Sequence, residues 1–122
     1  MADILTLTAQ PIRYPTASGV GFQPIYLATD ISSYDFLDME AGIVGVEGPV
    51  TGFTLELWTG MQNQTDDGWV SVGALVTGTT ANTWTKANFP NSLLRFVRWK
   101  VTVITAGTAV TFFCRGMARR YS

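Results

Sequence analysis

Histidine is absent from all 122 residues. That removes the side chain most used as a general base near neutral pH, the commonest zinc ligand, and every Ser-His or Cys-His nucleophile pair. Cysteine occurs once, at Cys114, which excludes an intrachain disulfide and any cysteine-built metal cage. Set in the apolar run Val110-Thr111-Phe112-Phe113-Cys114, it reads as a small core residue. Charge is also scarce, 14% of residues against roughly 25% in ordinary soluble domains. With a formal net charge of −1, there is no basic footprint to displace phosphate counterions, and no nucleic-acid partner is expected. No apolar run approaches the roughly eighteen residues of a membrane helix. Met1-Ala2-Asp3 opens on an acid and lacks the basic n-region of a secretory signal. Synthesis in the cytoplasm, no membrane partner and no cofactor are the expectations.

What is present points to strands. Hydrophobic residues make up 47% of the chain, Thr, Val, Ile and aromatics recur, and no stretch combines helix caps with a 3.6-residue period. Phe53-Thr54-Leu55-Glu56-Leu57-Trp58 alternates cleanly, with Phe53, Leu55 and Leu57 on one face and Trp58 on the other. Met61 to Gly68 is a polar loop whose Asp-Gly end leads into the strand Trp69-Val70-Ser71-Val72, making a hairpin. Further strands are expected at Ile4 to Thr8, Ile25 to Ala28, Tyr34 to Glu40, Gly42 to Val46, Asn82 to Lys86 (with Phe89-Pro90-Asn91 as the stop), Leu93 to Thr105 and Thr108 to Met117. In the long Leu93 to Thr105 strand, Val97, Trp99, Val101 and Val103 form the expected core face. Pro11, Pro15 and Ser18-Gly19 make Gln10 to Gly21 an irregular arm, suited to covering its own domain or a neighbour. The sum is one all-β domain over 1–122, an antiparallel, jelly-roll-like β-sandwich of about eight to ten short strands with an N-terminal strand and arm over about 1–24.

Charge is ordered along the chain. All nine acids lie between Asp3 and Asp67, and seven of the eight bases between Lys86 and Arg120. Pairing of strands from the two halves would set Glu56 or Glu47 opposite Arg95, Arg98 or Lys100. The alternative is complementarity between neighbouring subunits. The assembly candidates are therefore Glu56, Arg95, Arg98, Lys100, Arg119 and Arg120, joined by Trp58, Trp69 and Trp84 as interface aromatics. The same tryptophans could stack on sugar rings in a carbohydrate-binding module or adhesin. Catalytic and metal residues are not expected. Asp66 and Asp67 in a loop offer a calcium site only in outline, and a glycosidase pair drawn from Asp35, Asp38, Glu40, Asp66 and Asp67 has no spacing to recommend it.

With the strands placed, Asp30 to Arg119 resembles small β-sandwich structural proteins of tailed bacteriophages and gene-transfer particles. The likeness rests on Gly52-Phe53-Thr54-Leu55-Glu56-Leu57, then Asp67-Gly68-Trp69, then Leu94-Arg95-Phe96-Val97-Arg98-Trp99-Lys100-Val101. Discoidin-like and other ligand-binding sandwiches share such features. The resemblance implies a non-enzymatic virion component, a head decoration or a tail protein. It would be assembled in many copies with itself and other particle proteins and located in the virion. It supplies no catalytic residues.

Overall fold

The alternation at Gly52–Gly60 becomes strand β6 because its apolar members have two sheets to be buried between. Phe53, Leu55 and Leu57 are all at or below 1% exposure. In the computed structural model, residues 2–90 and 93–120 are described; Met1 and Asn91, used in the sequence reading, lie outside them. The other strands are β1 (Ala2–Thr6), β2 (Ile12–Pro15), β3 (Gly21–Phe22), β4 (Thr29–Asp30), β5 (Phe36–Glu47), β7 (Val70–Thr77), β8 (Thr83–Phe89), β9 (Phe96–Thr105) and β10 (Ala109–Arg119). They form two antiparallel sheets, one ordered β1-β10-β5-β8 with β2 also on β10, the other β3-β9-β6-β7 with β4 also on β9. The all-β sandwich is thus as expected. Its core joins Leu37, Met39 and Ile43 of the first sheet to Phe53, Leu55, Val97 and Val101 of the second, with Trp99 edge-on to Phe112 at 5.0 Å.

The N-terminal segment closes one flank of the sandwich. β1 and β2 lie end to end along the edge of β10 that β5 does not occupy, and β3 and β4 do the same for β9. Gln23 joins the two layers: its Nε2 donates to the Leu7 carbonyl at 2.9 Å while its Oε1 accepts from the Trp99 amide at 3.3 Å. The arm therefore covers its own domain. Two short strands in it, set by pairing with β10 and β9, replace the irregular course expected for Gln10 to Gly21.

Other local expectations are corrected. Ile25–Leu27, read as part of a strand, is one turn of 3-10 helix after Pro24. Tyr34 to Glu40 and Gly42 to Val46, read as two strands, are one: β5 runs unbroken from Phe36 to Glu47, and Tyr34 and Asp35 precede it. Gly42 does not break it, because the Phe113 ring occupies the place of the missing side chain, 2.5 Å from where a Cβ would sit. In β9, Thr54 faces Val103 but Leu55 faces Val101. Thr102 is thereby an extra residue, and a bulge reverses the faces beyond it. Val103, expected in the core, is 41% exposed, and Ile104 takes its place at 8%.

The segregated charges meet within the chain. Asp30 pairs with Arg95, Asp66 with Arg98, Glu40 with Arg115 and Asp38 with Arg119, while Arg13 pairs with Glu47. Glu56 sits opposite Lys100 in register, as cross-strand pairing requires. Glu47, by contrast, is taken by Arg13 and not by a base of the second half. The hydrogen bond from Arg13 holds the Glu47 carboxyl below the ordinary carboxylate range, and the Ser32 amide, ahead of Arg95, does so for Asp30. Because both values are lowered on folding, these contacts stabilise the fold above the unfolded carboxylate range and are lost as pH falls through the lowered values. Both carboxylates are open to solvent, which keeps the effect small.

Cys114 is fully buried, and burial pushes its thiol well above the ordinary range. A maleimide is expected to leave the native protein unlabelled and to react stoichiometrically in denaturant. Rapid labelling of folded protein would contradict this burial.

Candidate functional site

Five residues singled out in the sequence, Trp58, Trp69, Glu56, Arg98 and Lys100, come together on the outer face of the second sheet. β9 alternates so that Val97, Trp99 and Val101 face the core, which turns Arg98 and Lys100 outward. Arg98 is nonetheless 0% exposed. The Phe22 ring, brought by β3, covers one side of the guanidinium with its centroid 3.8 Å from Cζ, and Trp69, brought by the β6–β7 loop, covers it at 4.3 Å. Lys100 continues the series, its Nζ 4.5 Å from Phe22 and 4.2 Å from Trp58. Arg98 Nη1 donates to the Gln23 carbonyl at 3.0 Å and Nη2 to Asp66 at 2.8 Å. Trp58 Nε1 donates to Glu56 at 3.0 Å.

The loop that delivers Trp69 and Asp66 is shaped by one side chain. Gln62 Nε2 donates to the carbonyls of Thr65 and Asp67, and its Oε1 accepts the amides of Gln64 and Thr65. The Thr65 carbonyl also accepts Trp69 Nε1 at 3.1 Å. Rings face both cations, although the buried Arg98 Nε has no hydrogen-bond partner among the described residues. The arrangement is a clasp holding arm and loop to the sheet, worth up to about 2 kcal/mol for each desolvated cation–ring contact. Trp69, 6% exposed, has no face free for a sugar, and Trp58 is packed edge-on to Phe22 at 5.3 Å.

A second surface, on the outer face of the first sheet, was not assembled from the sequence. Three rows cross β10, β5 and β8 in register: Phe113, Gly42 and Trp84; Arg115, Glu40 and Lys86; Met117, Asp38 and Asn88. With no side chain at Gly42, Phe113 and Trp84 meet across β5 at 4.6 Å. Trp84 is 56% exposed. A groove of about 900 Å³ runs over the two charged rows to Ile4, and a hollow of about 250 Å³ beside Trp84 shares Thr8, Ala9 and Arg115 with it. Arg119 belongs to this face through Asp38 at 2.7 Å, where Asn88 Nδ2 also donates at 2.6 Å. Arg95 sits apart with Asp30, and Arg120 donates to the Ser33 carbonyl and lies over Tyr34. Phe22, Gly42 and Asn88 carried no periodic signal by which the sequence could have marked them.

Among the described residues no group of three His, Cys, Asp or Glu side chains could hold a metal ion. Asp66, half of the outlined calcium site, is bound instead to Arg98. Asp38 and Glu40 lie side by side in the groove, each gripped by a guanidinium. Among the described residues no helix is long and apolar enough to cross a membrane.

No family model matches the chain, and no curated protein matches it. A solved structure is similar: a chain from Bacillus endospore appendages, described as forming a novel family of disulfide-linked pili. The two are 15% identical, the match covers 100% of this chain and 88% of that one, and the TM-score is 0.52. At that identity the likeness establishes the fold alone.

Proposed function

We propose that this chain is a non-enzymatic structural protein that acts in many copies, a component of a tailed phage or phage-like particle located on its head or tail. The whole of 1–122 is read as a single sandwich domain, with copies of itself and other particle proteins as its partners. One observation carries the reading. The N-terminal arm seals one flank of the sandwich, whereas β8 on the other flank pairs only with β5 among the described residues. β8 is a regular strand of seven residues, with no register shift against β5 and no proline, and Lys86 is its one charge. Such an edge is a template for another chain unless it is blunted. That the appendages whose chain shares this fold are described as forming pili is consistent with the reading.

The link between copies differs from the one named for those appendages. They are disulfide-linked pili, but Cys114 is 0% exposed in the core, so copies of this chain associate without it. Negative-stain electron microscopy of the concentrated protein is expected to show rings, tubes or shells of regular spacing. A field of separate particles of monomer size at every concentration would overturn the reading.

A further inference from the structure

We propose that the outer face of the first sheet binds an anionic carbohydrate chain, with a sugar ring seated against Trp84 and its acid group on Lys86. This goes beyond the assembly reading and stands whether or not the chain assembles. Phe113, 8% exposed, supports the Trp84 ring from one side, while Trp84 itself is 56% exposed. Such a half-supported ring is a platform: it keeps an apolar face toward solvent at little cost in side-chain freedom.

Lys86 stands two residues along, on the same face of β8. Of the eight basic side chains, Arg13, Arg95, Arg98, Arg115 and Arg119 are in ion pairs. Lys100 lies over two rings, and Arg120 has a carbonyl and a ring. Lys86 is the one cation with no ion pair, hydrogen bond or ring contact among the described residues, and its cross-strand neighbour Glu40 is held by Arg115. An ammonium free to make a charge-assisted bond beside an open aromatic ring is the pair of groups an acidic sugar needs.

The groove floor fits the rest of a polyol. Asp38 and Glu40 keep lone pairs to accept hydroxyl protons. Asn88, whose amide N–H points to Asp38, keeps its carbonyl oxygen as a further acceptor. An apolar peptide would meet a charged floor here. The groove of about 900 Å³, which Lys86 lines, and the hollow of about 250 Å³, which Trp84 lines, share Thr8, Ala9 and Arg115, so a sugar seated on Trp84 has the groove beside it.

The test is affinity electrophoresis and calorimetry with polygalacturonate, neutral dextran and poly-glutamate as probes. Wild type is expected to bind polygalacturonate in preference to both others. Trp84→Ala should weaken binding roughly tenfold, with Trp84→Phe restoring part of it. Lys86→Ala should reduce polygalacturonate binding to the level of dextran. Because both side chains are exposed, circular dichroism should show unchanged folding. Failure of wild type to retain polygalacturonate, equal retention of poly-glutamate, or indifference to Trp84→Ala would each overturn the proposal. Light scattering on the same samples reports assembly separately, so loss of one reading leaves the other distinguishable.

Discussion

Arg98→Glu is expected to leave little folded protein at room temperature. Arg98 is among the largest fully buried side chains of the described residues, and the substitution would place a carboxylate between the negative faces of Phe22 and Trp69, opposite Asp66. It would also remove the donor to the Gln23 carbonyl. An uncompensated buried charge costs about 3–5 kcal/mol, a large share of the roughly 5–15 kcal/mol that stabilises a domain. Any folded remainder should melt about 15 °C or more below wild type.

Asp66→Asn separates the ion pair from the clasp. Its side chain is 68% exposed, the amide keeps an acceptor oxygen, and the Gln23 carbonyl and both rings still hold the guanidinium. A loss of about 1 kcal/mol is expected. Arg98→Met, which keeps the apolar stem, should fall between the two. If Asp66→Asn proved as damaging as Arg98→Glu in urea melts, the rings would not be what holds Arg98.

The second large effect is at Gly116→Ala. Gly116 lies opposite Met39, where β10 passes so close to β5 that an added Cβ would stand 2.2 Å from the Asp38 carbonyl oxygen and 2.9 Å from the Met39 Cα. Backbone cannot swing aside as a side-chain tip can, so the two central strands of the first sheet would have to part. Overpacking of this kind costs about 1–3 kcal/mol, and each ladder hydrogen bond lost adds about 1 kcal/mol. The expected outcome is a melting temperature at least about 10 °C lower. Gly45→Ala on the same strand pair is the control: its nearest neighbour is the Thr111 Cβ at 3.9 Å, and stability should hardly change. Similar melting of both variants would mean that the strands do not approach as described.

These two residues also mark how far the sequence could be read. Regular alternation in Phe53 to Trp58 was legible because one face is buried and the other is not, and the hairpin through Asp67-Gly68 followed from turn chemistry. The charge order was legible too, since strands far apart in sequence are neighbours in the sheets. Arg98 was not. In an alternating strand an arginine reads as a surface residue, and only the arrival of Phe22 and Trp69 from elsewhere buries it. Phe22 lies on a strand of two residues, a length that local propensity cannot signal. That Gly42 joins the two expected strands into one was not legible either, because the ring that fills its place, Phe113, belongs to β10. The bulge at Thr102, which exchanges Val103 for Ile104, is likewise set by the partner strand.

The clasp, the sealed flank and the edge of β8, which pairs only with β5 among the described residues, make one account: a sandwich closed on the side of its arm and, as proposed, joined to its copies through the other without disulfides. Light-scattering mass measured across a range of protein concentrations, with and without reductant, tests it most directly. The account predicts a mass that rises to a multiple of 13.3 kDa and is the same in both conditions. A mass fixed at that of one chain, or a multimer that reductant dissolves, would contradict it.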